Sequence, residues 1–454
     1  MKISKQVLSR LAIALLTLGA AATAQAQDAT EEKKFSISGF GTISAVKTND
    51  PTIGFKSYSP MPTGSTDEWA FDNDSNLGVQ LAYEFSTTTR AVVQLLSRRN
   101  HDNSYDPAID WAYLAYSPNR SLTLRAGRFV APAYMASESR AVGFSNVWVR
   151  PPLDVYQVAS INNVDGIDFR YRAMMAGWTY ALQGYAGEYD LQQSGGNHLK
   201  FNRMLGINLT AERGSWTLRF GHMDVKQTAL TSTDQITPAA LSAYTGEPKD
   251  ANSRPLRPTN ATCINSPTLP KIQCSKLFTN FDSVMDDFRR DEKGANITGL
   301  GYLFDNGRLL SQGEFAFRKG EGNIADQSSA YVTVGYRFGK FLPHFTVSKS
   351  LPRTERTDLV VAPAYQVAMQ KDFPQEPYYV LNSNTAQKSF GVGFRYDITS
   401  SLALKMQVDQ HTPLTTMGRG SSGFGFSRVP GSLPALSLSE TSVTVSTVSL
   451  DFVF

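Results

Sequence analysis

The chain has 454 residues, of which 41% are hydrophobic, and it carries 44 Lys and Arg against 40 Asp and Glu. No segment after residue 26 approaches the ~18 consecutive apolar residues of a transmembrane helix, which argues against a helical membrane protein. The sequence is rich in aromatic residues and glycine, with 26 Phe, 19 Tyr, 5 Trp and 34 Gly. This composition fits a β-rich protein, either water-soluble or membrane-spanning.

The first 26 residues predict an export signal. Lys2, Lys5 and Arg10 give a basic start, residues 11–22 are almost entirely Leu, Ile and Ala, and Ala24-Gln25-Ala26 gives a small-x-small cleavage site. The apolar run is too short to span a ~30 Å hydrocarbon core as a helix. We expect residues 1–26 to be a signal peptide and residues 27–454 to be one barrel domain. Removal of the three basic residues leaves a nearly neutral chain, which gives no reason to expect nucleic acid as a partner.

Apolar residues then recur at every second position, which is the period of a β-strand. From Leu77 to Phe85, for example, every odd residue is apolar, while the even positions include Gln80 and Glu84. The pattern predicts an all-β chain of sixteen strands, at residues 34–47, 76–85, 89–98, 109–117, 121–128, 166–172, 177–186, 203–212, 215–226, 294–304, 308–319, 328–338, 342–350, 387–396, 401–410 and 440–454.

The connections between these segments alternate in length. After even-numbered strands they are tight, as at Asn306-Gly307, a pair that favours a two-residue hairpin turn. After odd-numbered strands they are usually long. Tight turns on one rim and long loops on the other are typical of a transmembrane antiparallel β-barrel, and an even strand number returns both termini to the short-turn, periplasmic side. A soluble β-sandwich remains the alternative, but it gives no reason for this sorting.

The chain ends in an alternating strand, Val448-Ser-Leu450-Asp-Phe452-Val-Phe454. With the export signal, the sixteen strands and the loop asymmetry, this end resembles the Gram-negative outer-membrane porin superfamily over the whole mature length. The resemblance implies a multi-pass barrel in outer-membrane lipid, assembled as a homotrimer, whose terminal Phe454 is read by the barrel assembly machinery. It also implies passive diffusion of small hydrophilic solutes and ions, with the third long loop folded into the lumen.

A barrel of this size leaves an aqueous channel, so function depends on what narrows it. The third long loop, residues 129–165, carries Glu138, Arg140, Arg150 and Asp154, which could set a field across the pore. Paired prolines and several aromatic residues suit an ordered loop. An ordered extracellular cap with surface charges is the alternative.

Strand parity predicts the inner wall. If the apolar alternates face lipid, nine cations (Arg90, Arg125, Arg170, Arg172, Arg219, Arg318, Arg337, Arg395 and Lys405) and six acids (Glu84, Asp110, Asp168, Glu314, Asp409 and Asp451) face the lumen. This excess predicts a weak preference for anions. The alternative is that these charges pair with one another across the wall and only hold the barrel in shape. The candidate pore residues are Arg125, Arg128, Glu138, Arg140, Arg150, Asp154, Arg170, Arg172, Arg219, Arg318, Arg337 and Arg395.

Cys263 and Cys274 lie in the longest loop, and in an oxidising compartment they predict a disulfide. No histidine lies nearby, so a metal site is not expected. The five histidines are scattered and lack catalytic spacing, and we expect neither an enzyme nor a cofactor. A substrate-selective porin with a site for phosphate, carboxylate or sugar at the third loop is the alternative to a general porin.

Overall fold

The computed structural model describes residues 34–158, 161–194, 197–230, 274–280, 292–321, 324–353, 362–367, 386–414, 425–428 and 441–454. In chain order the strands are β1 (Phe35–Thr48), β2 (Ile53–Phe55), β3 (Asn76–Glu84), β4 (Thr89–Arg98), β5 (Ala108–Tyr116), β6 (Leu122–Val130), β7 (Asn163–Met175), β8 (Trp178–Gln193), β9 (Asn197–Arg213), β10 (Trp216–Leu230), β11 (Lys293–Asp305), β12 (Leu309–Gly320), β13 (Gln327–Tyr336), β14 (Phe341–Pro352), β15 (Gln387–Asp397), β16 (Leu402–Pro413), β17 (Phe426–Arg428) and β18 (Val443–Val453).

The helical elements are short. They are α1 (Leu153–Tyr156), α2 (Cys274–Leu277) and the 3₁₀ turns Gly143–Ser145 and Pro363–Tyr365. No helix in the described part of the chain is long and apolar enough to cross a membrane.

Sixteen of the strands close into one antiparallel barrel, in which each strand pairs with its neighbour in sequence and β1 pairs with β18. Every predicted strand overlaps one barrel strand, so the prediction of an all-β antiparallel barrel of sixteen strands is confirmed. The two remaining strands, β2 and β17, form a separate two-stranded sheet. They come from the connections that flank the closing pair of strands.

The period-two pattern sorts side chains between the two faces of the barrel. On β9, Leu205, Ile207 and Leu209 are exposed by 47%, 46% and 40%, whereas Met204 is fully buried. The same alternation of exposed apolar and buried or polar residues runs through β4, β14 and β16. A continuous apolar outer face is unfavourable in water at roughly 25 cal/mol per Å² and is suited to hydrocarbon.

The tight turns predicted from sequence are present on one rim. In the turn between β11 and β12, Gly307 adopts a φ of 86°, and Asn306 Oδ1 accepts hydrogen bonds from the backbone of Arg308 and Leu309. On the other rim, β8 and β9 extend beyond the predicted segments. There Leu191 and Phe201 are buried in an apolar cluster with inward residues of other strands, such as Met204 and Met223.

The inner face is less uniformly polar than expected. A buried apolar cluster joins inward residues of several strands, among them Met204, Met223 and Ile297, to Trp148 and Tyr156 of the connection between β6 and β7. Residues of this connection therefore belong to the same buried cluster as inward residues of the wall, whereas strand parity predicted a polar inner face.

Candidate functional site

The connection from β6 to β7, residues 131–162, is called loop three below. It contains the 3₁₀ turn Gly143–Ser145 and α1. Inner-face side chains bind its backbone directly: Lys405 Nζ donates to the carbonyl oxygens of Gly143 and Trp148, each at 2.7 Å. Gln407 Oε1 accepts a hydrogen bond from the Val149 amide at 2.9 Å. Two consecutive inward residues of β16 therefore hold the middle of loop three.

Three of the predicted arginines also bind loop-three carbonyl oxygens. Arg219 donates to Pro132, Arg395 donates to Phe144 and, at 3.0 Å, to Asn146, and Arg318 donates to Val158 at 2.6 Å. Hydrogen bonds from a charged donor are the stronger class. These arginines fix the two ends and the middle of the loop to β10, β15 and β12.

Two aromatic residues of loop three form hydrogen bonds with polar side chains of the barrel wall. The Trp148 indole N–H donates to Thr333 Oγ1 at 2.8 Å and to Thr346 Oγ1 at 3.2 Å. The Tyr156 hydroxyl donates to Glu314 Oε1. Burial and the Glu314 carboxylate raise the pKa of Tyr156 well above its usual value, so this hydroxyl stays a donor.

Arg150 is the buried charged anchor of loop three. Its guanidinium lies 2.7 Å from Asp74 Oδ2 and 3.3 Å from Asp409 Oδ2, and it donates to Thr447 Oγ1 at 2.5 Å. Burial opposes the charge, but Asp74 and Asp409 raise the pKa of Arg150 above its usual value. The predicted loop-three cation is thus neutralised by acids of the wall and the β2–β3 connection.

Asp154 lies on α1 and is completely buried. Its Oδ2 accepts hydrogen bonds from Ser348 and Ser389, each at 2.7 Å, while Oδ1 has no partner among the described residues. Burial raises the pKa of Asp154 to about 6, although the two serine hydroxyls act in the opposite direction. Asp154 therefore joins loop three to β14 and β15, and burial favours its protonated form.

A second charged cluster joins loop three to β6 and β7. Arg125 binds both carboxylate oxygens of Asp168, at 2.8 and 2.5 Å. Glu138 of loop three binds Arg170 and lies 3.7 Å from Arg125. The structure brings these four predicted charges together. Glu138 and Arg170 keep 36% and 32% of their side-chain surface exposed.

The remaining candidates lie apart from this cluster. Arg128 pairs with Asp165 at 2.6 Å on the same side of β6 as the exposed Leu124, so parity places it on the outer face. Arg337 pairs with Asp305 at 3.2 Å beside the Gly307 turn, on the short-turn rim. Arg172 is exposed near the short-turn end of β7.

Arg140 extends from loop three and donates to Asn162 Oδ1. It lines a cavity together with Arg98 and Arg99 of the β4 end, which sequence reasoning did not single out. Arg98 shares the inward parity of Val92 and Leu96 and could have been found by that signal. The pairing of Asp74 with Arg150 could not have been found by parity, because Asp74 lies in a connection and not in a strand.

The predicted disulfide cannot be placed, because Cys263 and the side chain of Cys274 lie outside the described residues. Within the described ranges, no group of three His, Cys, Asp or Glu side chains is arranged to hold a metal ion.

No protein-family model matches the chain, and no curated protein matches its sequence. Among solved structures, the outer-membrane channel DcaP of Acinetobacter baumannii is similar, with a TM-score of 0.50 and 9% identity over 92% of this chain and 97% of that chain. The anion-selective porin from Comamonas acidovorans gives a TM-score of 0.48 and 10% identity over 92% and 100%. Salmonella typhi OmpF, in complex with daunomycin, gives 0.48 and 11% over 92% and 97%. At these identities the likeness concerns the fold, and the chain has a porin-like fold, a closed antiparallel β-barrel of sixteen strands.

Proposed function

We propose that this chain is a channel of the Gram-negative outer membrane through which small hydrophilic solutes diffuse passively. The apolar outer face suits lipid, and the charged and polar inner face suits water. The observation that carries the proposal is the attachment of loop three to inward side chains, above all the hydrogen bonds from Lys405 to Gly143 and Trp148. A loop held on the inner face narrows the path that a solute can take.

In this proposal loop three is the constriction, and its anchors and its path-lining charges are different residues. Lys405, Trp148 and Asp154 are almost completely buried, so they position the loop. Glu138 and Arg170 remain about one-third exposed, at 36% and 32%, and are the charges that a passing solute meets. The constriction would therefore present charges of both signs.

We also propose a weak preference for anions. Arg125, Arg150 and Arg337 face acids, which reduces the field they exert in the lumen. The Arg219 and Arg318 guanidinium groups instead bind carbonyl oxygens, and no described acid lies within ion-pair distance of either. Arg219 and Arg318 therefore hold loop three and also keep a positive charge that is not paired with any described acid, so the preference that we propose is modest.

The extensive anchoring supports a substrate-selective channel as the second candidate. Loop three contacts the wall through charged hydrogen bonds and through the buried cluster around Trp148 and Tyr156. A rigid constriction positions solute-binding groups more accurately than a mobile one. A channel of this type would show saturation by one class of solute.

Other parts of the proposal rest on the sequence. We propose that residues 1–26 are removed on export and that both termini face the periplasm. We further propose that Phe454 is read by the assembly machinery and that the protein forms a homotrimer in the outer membrane.

The test is conductance of the refolded mature chain in planar lipid bilayers, with heat-unfolded protein as the control. We expect stepwise ohmic conductance and a small reversal potential of anionic sign across a KCl gradient. A preparation that is folded by circular dichroism and heat-modifiable mobility, but that does not raise conductance above bare lipid, would overturn the channel proposal. Linear flux of every solute favours a general channel, and saturation by one class favours a selective one.

A further inference from the structure

Two arginines from different parts of the chain line the same cavity. Arg98 is the last residue of β4 and lies on its inner face, since Val93 and Leu95 of the opposite parity are exposed. Arg140 comes from loop three. Both border a cavity of about 120 Å³ that is also lined by Tyr58 and Asn162. The cavity therefore lies where loop three meets the wall of β4.

A short chain of contacts fixes the two guanidinium groups. The Arg98 guanidinium lies over the Tyr58 ring, 3.7 Å from its centroid. The Tyr58 hydroxyl accepts a hydrogen bond from Asn162 Nδ2 at 3.1 Å, and Asn162 Oδ1 accepts one from Arg140. One amide side chain thus connects the supports of both cations. Each guanidinium keeps further N–H donors, because an arginine offers five.

Neither cation is neutralised. Among the residues that the structure describes, no carboxylate lies within ion-pair distance of Arg98 or Arg140. The neighbouring arginines, in contrast, are paired with acids. Arg99 lies 3.2 Å from Asp72, and Arg150 lies 2.7 Å from Asp74.

Like charges in a partly closed cavity are unfavourable, and an anion between them would relieve the repulsion. Burial, followed by the nearby Arg98, lowers the pKa of Arg140, while Asp110, Tyr58 and Tyr156 act in the opposite direction. Asp74 also lines the cavity, but it is paired with Arg150 at 2.7 Å. Asp110, which accepts a hydrogen bond from Gln94 at 3.0 Å, is not within ion-pair distance of either arginine among the described residues.

We propose that this cavity, defined by Arg98, Arg140, Tyr58 and Asn162, binds an oxyanion, the carboxylate or phosphate group of a small solute in transit. Guanidinium groups match the planar or tetrahedral oxygens of such groups through paired N–H donors. The cavity would hold the anion where loop three narrows the path. This site rests on the channel function proposed above and names the class of solute that the channel favours.

The test is block of single-channel current by sodium succinate and by sodium phosphate at constant ionic strength, with glucose as the neutral solute. The variants are Arg98→Gln and Arg140→Gln. The matched control is Arg90→Gln, which removes a cation from the same face of β4 at its other end, where Arg90 is exposed and stands opposite Glu84. Arg98→Lys and Arg140→Lys keep the charge but lose the paired donors.

We expect saturable block of the wild-type channel by at least one of the two anions and none by glucose. Each glutamine variant weakens this block by about tenfold or more, because each removes charged hydrogen bonds to the anion. The lysine variants lie between wild type and the glutamine variants. Arg90→Gln changes the block by less than about twofold, since an exposed charge interacts weakly. Block by succinate alone assigns carboxylates, and block by phosphate alone assigns phosphates.

The proposal fails if the wild-type channel conducts but neither anion blocks it, or if all variants are blocked equally. It also fails if Arg90→Gln weakens the block as much as Arg98→Gln, because the effect is then one of net charge. A wild-type chain that does not conduct contradicts the channel function itself, which is a separate result. Heat-modifiable mobility shows which variants are folded, and the lysine pair decides the question if a glutamine variant is not.

Discussion

Lys405 and Asp451 form an ion pair of 2.9 Å on the inner face of β16 and β18, and both side chains are almost completely shielded from solvent. Asp451 Oδ1 also accepts a hydrogen bond from Thr42 of β1 at 2.6 Å, and Lys405 Nζ donates to Gly143 and Trp148 of loop three. The same buried pair therefore links the strands that close the barrel to the loop proposed to constrict it.

Replacement of Lys405 by Met removes the two hydrogen bonds to loop three and leaves Asp451 buried without its cation. Breaking one side of a buried ion pair costs roughly 3–5 kcal/mol. We expect a lower temperature for the loss of heat-modifiable mobility. We also expect larger and noisier single-channel currents, because the middle of loop three is no longer held.

The matched control is Lys388→Met, which removes an exposed cation from the adjacent strand β15. It should change neither the transition temperature nor the current noise appreciably. The anchoring role of Lys405 is refuted if the two variants behave alike. Addition of Asp451→Asn to the Lys405→Met variant should recover part of the lost stability, because no unpaired charge then remains buried. It should not reduce the current noise to the wild-type level, because loop three is still not held.

Trp148 offers an independent test of loop-three packing, because the indole is 2% exposed and its N–H binds Thr333 and Thr346. Trp148→Ala should lower stability by about 3–5 kcal/mol through lost packing and the remaining cavity. Trp148→Phe should cost only about 0.5–1.5 kcal/mol, since the ring remains and one hydrogen-bonding group is lost. The two threonine hydroxyls lie 2.8 Å apart and can bind each other in that variant.

Conductance separates packing from constriction at this position. We expect Trp148→Ala to raise single-channel conductance and Trp148→Phe to leave it near the wild-type value. A smaller conductance for the alanine variant would mean that loop three collapses into the path rather than leaving it, and the proposed position of the constriction would then be wrong.

The barrel could be predicted from the sequence because its signal is repeated sixteen times and has only a short range. Leu205, Ile207 and Leu209 alternate within one strand, and the hairpin turn at Gly307 needs only neighbouring residues. The inward parity of Lys405 and Asp451 follows from the same rule. None of this requires knowledge of which distant residues meet.

The contacts of loop three could not be predicted, since each joins residues far apart in sequence without a periodic pattern. Arg150 was a candidate pore charge, but its partners Asp74 and Asp409 belong to two distant segments. The packing of Trp148 onto β13 and β14 likewise depends on three-dimensional placement. Arg128 was predicted to be a pore residue, but strand parity places its side chain on the outer face. A charged residue in a strand therefore does not by itself indicate a pore-lining position.

Asp154 should make loop-three packing dependent on pH. Its pKa in the folded chain is about 6, raised from 3.8 mainly by burial, so the folded chain binds a proton more tightly than the unfolded chain. The stabilisation from this group is fully present below pH ~4, falls as the pH rises toward 6 and is absent above it. At about 1.4 kcal/mol per pKa unit, the difference is on the order of 3 kcal/mol.

The measurement is the thermal transition from pH 4 to pH 8 for the wild type and for Asp154→Asn. The amide cannot titrate, so the variant should lose this component of the pH dependence and keep its acceptor for Ser348 and Ser389. Subtraction of the two profiles isolates Asp154 from other groups. Parallel profiles would show that Asp154 does not couple the loop to pH.

The closing strand pair depends on a glycine that faces an aromatic ring. Gly41 of β1 stands opposite Phe452 of β18, and a Cβ at Gly41 would lie 2.4 Å from the end of that ring. Gly41→Val should therefore displace Phe452 and impair closure, giving a chain that lacks heat-modifiable mobility or shows a strongly lowered transition temperature.

Phe452→Ala alone should cost about 3 kcal/mol or less, because that ring lies on the lipid-facing side. In the double variant the valine occupies the space of the ring, and folding should recover beyond Gly41→Val. If the double variant is no better folded than the valine variant, the glycine is required for a reason other than its contact with Phe452.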